Sequence, residues 1–347
     1  MAVKTSVIAD PVTEADASKP VTKSQRSAHS PEYQRKEIPK SFHYTSRNQV
    51  HAQRRREILD KHPEILRLYG YDPTSAIWCG LTVVFQLFMC YTVREIESVW
   101  FLIFLTYSIS GTLNHSLLLA MHEATHDLFF KQRWLNQVFA SIANLPMGVP
   151  AAGMFRIYHA EHHSDMGVDG VDTDVPTEIE AKLFSGVIGR LIWVILQPFF
   201  YAVRPMVIRP KTKTSITWAA CAIQILFDVC ILVFMGWKSF VYLFGGSLLG
   251  TGLHPMSGHF VAEHFEFVDG QETYSYYGPL NKLTYNVGYH NEHHDFPKIP
   301  GSRLPLVRQI APEYYNMPSY QSWPRVIFDF IVGRNMSLYG RVKRIHE

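Results

Sequence analysis

Eight of the seventeen histidines in this 347-residue chain fall into three clusters with metal-ligand spacing. His122-Glu-Ala-Thr-His126, His159-Ala-Glu-His162-His163 and His290-Asn-Glu-His293-His294 each place imidazoles three or four residues apart. Residues at that spacing share one face of a helix, so each cluster can aim its rings at one point. Three further histidines, His254, His259 and His264, gather in a fourth place. Neutral imidazole binds zinc, copper, iron and nickel well. Eight or more such ligands exceed the capacity of one ion, so the count predicts two metal ions with four or five ligands each. Zinc usually closes its shell at four ligands, whereas iron takes more and activates oxygen. The expected ligands are therefore His122, His126, His159, His162, His163, His290, His293 and His294, with His264 as the ninth. His259 and Glu263 are expected to hydrogen-bond and orient ligands. Asn114 has two readings, a partner for a ligand imidazole or a helix-packing residue. His254 adjoins Pro255 and reads as structural, and His29, His43, His51, His62 and His346 stand alone and read as ordinary polar groups.

The elements that must carry these clusters are read from apolar runs. A bilayer core needs about 20 largely apolar residues per helix, and 17 suffice. Four stretches qualify: 76–93, 99–121, 215–237 and 239–258. Two others, Trp134–Pro150 and Leu183–Val203, are interrupted by Asn136, Gln137, Asn144, Arg190 and prolines, and are expected to lie in the interface or against a cap. With four spans, the N-terminal segment, the 122–214 segment and residues 259–347 face one compartment. The opposite loops then hold only Arg94 and Lys238 of the 33 basic residues, so the large face is expected to be cytosolic. The expected fold is all-α: a polytopic membrane protein with four transmembrane helices and a cytosolic helical cap.

Composition agrees. Charged residues make up 18% of the chain, below the roughly 25% usual for soluble domains, and the net charge of +3 is too small to argue for nucleic acid. Cys79, Cys90, Cys221 and Cys230 lie in apolar stretches without CxxC spacing and suit a reducing compartment. Residues 1–50, rich in Ser, Lys, Pro and Thr, read as a disordered cytosolic extension with neither a signal-peptide core nor a myristoylation start, leaving 51–347 as the membrane domain. Arg54-Arg55-Arg56 with the leucines and isoleucines around it suits a helix on the membrane surface. A solvated helix face is the alternative.

Acid–base side chains cannot oxidise an unactivated methylene; a cofactor must carry that step. The chain has no glycine-rich dinucleotide fingerprint, haem attachment motif or iron–sulfur cysteine set. A histidine-held metal pair remains, served by an outside electron donor, with a lipid channel expected between the spans. At this point the boxes resemble the membrane fatty-acyl desaturase and hydroxylase superfamily. The resemblance sharpens at Asn114-His115-Ser116, the Gly170–Thr177 segment, Gly258-His-Phe-Val-Ala-Glu-His264, Glu272–Asn281 and Asn286–Pro297, which together resemble the sphingolipid Δ4-desaturases. That resemblance, over residues 50–345, implies oxygen-dependent removal of two hydrogens from the C4–C5 bond of dihydroceramide to give ceramide. It also implies two iron ions, molecular oxygen, and electrons from NADH through cytochrome b5 reductase and cytochrome b5. Its setting would be the endoplasmic reticulum membrane, with both termini cytosolic. No His-Pro-Gly-Gly motif is present, so the donor is expected to be a separate protein. The wider family's asparagine four residues before the ninth ligand is replaced here by Phe260.

Weaker signals remain. Asp169, Asp172 and Asp174 either grip the substrate's polar head or shape a turn, and Tyr274, Tyr276 and Tyr277 are expected at the membrane interface. Asp228, inside the third span, calls for a partner or a functional role. Rival readings are an intramembrane zinc protease using His122-Glu123-Ala-Thr-His126, a transporter, and a C4-hydroxylase on the same site. The protease leaves two boxes unused. Transporters place their sites at mid-membrane. The hydroxylase shares every ligand and is the nearest rival.

Overall fold

The computed structural model describes residues 27–28, 37–333 and 336–345. Its organising element is a 27-residue helix, Val99–Thr125 (α3). At 1.5 Å per residue that is about 40 Å, more than the roughly 30 Å of a hydrocarbon core. Its C-terminal end carries the first box. Two more helices are long and apolar enough to cross a membrane, Pro73–Val93 (α2) and Ser215–Met235 (α9). Asp72 starts α2 by accepting the Thr74 N–H ahead of Pro73, and Ser98 and Thr214 cap α3 and α9 in the same way. Trp78, Leu81, Val84, Phe85 and Phe88 on α2, and Trp218, Leu226, Val233 and Phe234 on α9, are exposed, as a lipid-facing surface requires.

The fourth apolar stretch forms a shorter helix than expected. Helix α10 covers Trp237–Thr251 and stops before Gly252, after which Pro255 opens a 3-10 turn. It packs deep against the π-helical turn Thr106–Gly111 of α3. Gly246 and Gly250 make that approach possible: a Cβ at either would run into Ser110 or the Gly111 carbonyl. The two interrupted stretches are sharply bent pairs. Arg133–Asn144 (α4), with its 3-10 extension to Met147, meets Ala152–Ser164 (α5) at 112°, and Gly186–Ile195 (α7) meets Gln197–Ile208 (α8) at 77°. Proline and glycine at 146, 148, 150 and 198 account for both breaks.

The remaining elements form the cap. Its helices are His51–Lys61 (α1), Glu178–Leu183 (α6), Gly258–Ala262 (α11), His290–Asp295 (α12), Leu304–Ile310 (α13) and Trp323–Val332 (α14); α6, α11 and α14 pack around Phe265, Phe267, Tyr274, Tyr276, Tyr320, Trp323 and Phe330, and α1 and α13 around Phe296, Ile299 and Tyr315. The all-α expectation needs one amendment. His43–Thr45 (β1) and Val342–Arg344 (β2) pair in parallel, joining the two ends of the described chain. Phe42 beside β1 is buried, so residues 37–50 lie on the body, although they were expected in the disordered extension. Apart from residues 27–28, its earlier part lies outside the described residues.

Tyr274 and Tyr276 are buried in the cap core instead of lining the membrane interface, and the Tyr277 hydroxyl donates to Glu292. Their hydroxyls find protein partners that an interfacial position would have left to water. Asp228 has its partner inside the span: Gln224 Nε2 donates to it at 2.9 Å.

Candidate metal centre

The three boxes sit on three separately positioned helices. His122 ends the last turn of α3 and His126 caps it; His159, His162 and His163 lie on one face of α5; His290, His293 and His294 occupy α12. His264 follows α11 by two residues. All nine side chains come together in two adjoining groups. His122, His126, His159, His163 and His293 form one group of five, and His162, His264, His290 and His294 form a group of four. Box two is divided: His159 and His163 face the first group, and His162 faces the second. This division was not readable from spacing.

Within the first group, Nε2 of His159 lies 2.8 Å from Nε2 of His126 and 3.1 Å from that of His163, which is 3.1 Å from Nε2 of His293. In the second, Nε2 of His264 lies 3.1 Å from that of His162 and 2.9 Å from that of His290. Nε2 of His122 and of His294 are buried and have no protein partner. Two adjoining groups of five and four imidazoles fit a metal site and hold more ligands than one four-coordinate ion would take.

Electrostatics agree. Burial, then the charge of neighbouring imidazoles, holds His264, His290 and His294 well below the ordinary histidine value; burial and His122 do the same for His293. These rings are neutral with lone pairs free to bind a metal. His162 differs. Burial opposes its charge, but Asp172 and Asp174 raise it to about 9. Asp172 Oδ1 lies 3.1 Å from His162 Nδ1, while Oδ2 accepts the Gly167 N–H at 2.7 Å. This is a carboxylate behind a metal-facing histidine, which fixes ring orientation and raises ligand basicity. Asp172 thus shapes a turn, as one of its two sequence readings expected, and also backs His162, which neither reading foresaw. Asp169 pairs with Lys343.

The family model described as fatty acid desaturase matches residues 98–324, and the one described as sphingolipid Delta4-desaturase matches residues 39–74. The chain belongs to the fatty acid desaturase family. It is 50% identical over 308 residues to the sphingolipid delta(4)-desaturase DES1 of Homo sapiens, covering 87% of this chain and 94% of that one. It is 47% identical over 306 residues to DES1 of Drosophila melanogaster, covering 87% and 95%. It is 48% identical over 310 residues to the sphingolipid delta(4)-desaturase/C4-monooxygenase DES2 of Mus musculus, covering 87% and 94%.

The box glutamates of this desaturase brace the scaffold. Glu123 accepts the Gly301 N–H at 2.9 Å, Glu292 accepts from Ser275 and Tyr277, and Glu161 pairs with Arg209 and Lys211. A zinc protease would need Glu123 free to face a bound water. Glu263 has the expected place: its Oε1 lies 2.9 Å from His259 Nδ1 and 3.4 Å from Nδ1 of His290. Asn114 does not reach a ligand. It donates to the Pro146 and Leu243 carbonyls and accepts from Gln86, tying α2, α3 and α10 together inside the membrane, so its helix-packing reading holds. His254 accepts the Met256 N–H as a cap, in keeping with a structural role.

One residue set aside in the sequence belongs to this centre. His51 is buried, its ring 4.9 Å from that of His294, with Nδ1 donating to Asp295 at 2.7 Å and Nε2 accepting from Thr273. Asp295 also accepts from Arg54 and Tyr315. Arg54, read as part of a membrane-facing basic cluster, is thus a buried brace of the third box.

Proposed function

We propose that this chain is a membrane di-iron desaturase that removes two hydrogens across C4–C5 of a dihydroceramide to give ceramide. The observation that carries the reading is the pair of abutting all-histidine groups, five and four, at the C-terminal end of a membrane helix. The sphingolipid delta(4)-desaturase names of relatives near 50% identity supply the substrate class. His122, His126, His159, His163 and His293 would hold one iron, and His162, His264, His290 and His294 the other. Together the irons would supply the oxygen-activating chemistry that side chains lack.

The protein's own residues do the rest. Asp172 holds the His162 ring from behind and the Glu263 carboxyl lies 3.4 Å from Nδ1 of His290, so these rings stay aimed inward. Seven of the nine ligand residues are buried and His159 and His163 are partly so, which limits water at the reacting carbons. Four spans, α2, α3, α9 and α10, leave both termini and the cap on the cytosolic side of the endoplasmic reticulum. There a separate cytochrome b5, reduced from NADH, delivers electrons. The substrate reaches the metals through a channel between the spans.

C4 hydroxylation shares these ligands, and the C4-monooxygenase in the mouse relative's name is the reason to keep it as a second outcome. The test supplies dihydroceramide, NADH and cytochrome b5 with its reductase to membranes holding this protein. Mass spectrometry should find ceramide as the main product; phytoceramide in excess would assign hydroxylation instead.

A further inference from the structure

Three buried polar side chains beside the metal centre have atoms that no protein group satisfies: His115 Nε2, His259 Nε2, and both amide atoms of Gln197. Their residues are 1%, 4% and 1% exposed. A buried polar atom without a partner is costly, so four of them in one neighbourhood call for an occupant.

They share that neighbourhood through a short chain of contacts. The His115 and His259 rings meet edge to face at 4.9 Å. His259 lies 4.0 Å from the Phe260 ring, which packs at 4.7 Å on Tyr201. Tyr201 is one turn beyond Gln197 on α8, so the two share a face. From the other side, His115 hydrogen-bonds the Gly250 carbonyl at 2.8 Å, and a Cβ on nearby Gly252 would lie 3.0 Å from the carbonyl of Ile195, just before Gln197. The metals are close. His115 precedes His122 by two turns on α3, and Glu263 joins His259 to the metal-facing His290.

The hydrogen-bonding roles follow from the partners. A carbonyl only accepts, so His115 Nδ1 carries the proton and Nε2 of the neutral ring is a bare acceptor. His259 Nδ1 pairs with the Glu263 carboxyl, which leaves Nε2 to exchange a hydrogen bond with a hydroxyl in either tautomer. The Gln197 amide offers a donor and an acceptor together. Two ring nitrogens beside one donor–acceptor pair complement a molecule with two hydroxyls and a secondary amide.

We infer that His115, His259 and Gln197 form the recognition site for the polar head of the sphingoid lipid, the imidazoles pairing with its hydroxyls and Gln197 with its amide. This rests on the Δ4-desaturase reading and deepens it. An enzyme that oxidises C4–C5 must hold the C3 hydroxyl and the C2 amide within a few ångströms of its metals, so a polar lining there sets the position of the double bond. Sites built to pair with a hydroxyl reject analogues lacking it, because their own groups are left unsatisfied.

The test uses iron-loaded full-length enzyme in lipid nanodiscs with three substrates: dihydroceramide, its 1-deoxy analogue and its 3-deoxy analogue. In the wild type each missing hydroxyl should lower kcat/KM about tenfold. In His115→Phe one of those two penalties should vanish. In Gln197→Leu both penalties should persist while KM rises about tenfold for every substrate, and ceramide binding to the resting enzyme should weaken in parallel. Iron content and the thermal transition check that each variant is folded, and Gln197→Leu, on a different helix, decides alone should His115→Phe lose its metal. Both penalties surviving in folded His115→Phe, or unchanged KM and ceramide binding in Gln197→Leu, would overturn the assignment. A wild type that makes no ceramide would instead overturn the underlying function.

Discussion

Some side chains here would hold metal, and others hold the holders. His293→Ala removes a member of the five-ligand group, and His264→Ala one of the four. Each should abolish ceramide formation by at least about a hundredfold and lower bound iron, measured by metal analysis of purified protein. Asp172→Asn keeps the shape but removes the charge behind His162; iron affinity should fall by about 10–100-fold in a chelator competition. Glu123→Gln should behave differently. Its carboxylate serves the Gly301 N–H, which a glutamine oxygen can also accept, so turnover should stay within about threefold of wild type. A loss near a thousandfold there would revive the hydrolytic reading of His122-Glu123-Ala-Thr-His126. The histidine clusters were legible because imidazoles at i and i+4 announce themselves locally. His51 and Asp172 were not, since His51 reaches Asp295 across 244 residues and an aspartate beside glycines looks like an ordinary turn.

Among the elements, the decisive one is α10, whose apolar length suggested a span to residue 258 but which stops at Thr251. Apolar runs report what lipid or core tolerates; they do not report where Gly252 and Pro255 end a helix. What the glycines gain is proximity, seating α10 against the π-helical turn of α3. Gly250→Leu should therefore push these helices apart and cost about 1–3 kcal/mol, read as a lowered thermal transition in detergent. The same substitution at Gly80, where a Cβ meets nothing, is the control and should leave the transition unchanged. Asn114 teaches a related lesson. A polar residue about two turns before a metal box suits either a ligand partner or an intramembrane clamp, and only packing decided that it binds Gln86 and two carbonyls.

For the whole molecule, the fold explains why chemistry on a lipid tail is done at a membrane surface. A helix longer than the hydrocarbon core carries the first box at its C-terminal end, and the cap closes over it with the other two. The cap is itself braced from the N-terminal side, through His51 and Arg54 on Asp295, so α1 belongs to the catalytic body. Asp295→Ala would leave Arg54 buried without its charge partner, at a cost of about 3–5 kcal/mol, and should release iron along with stability. The central claim is that two irons are held by histidine alone and oxidise a sphingoid lipid. Its most direct test is metal analysis of active enzyme purified from membranes, paired with single-turnover conversion of dihydroceramide. The account predicts about two irons per chain and ceramide formed in proportion to iron. One zinc per chain without iron, or ceramide formed by iron-free protein, would contradict it.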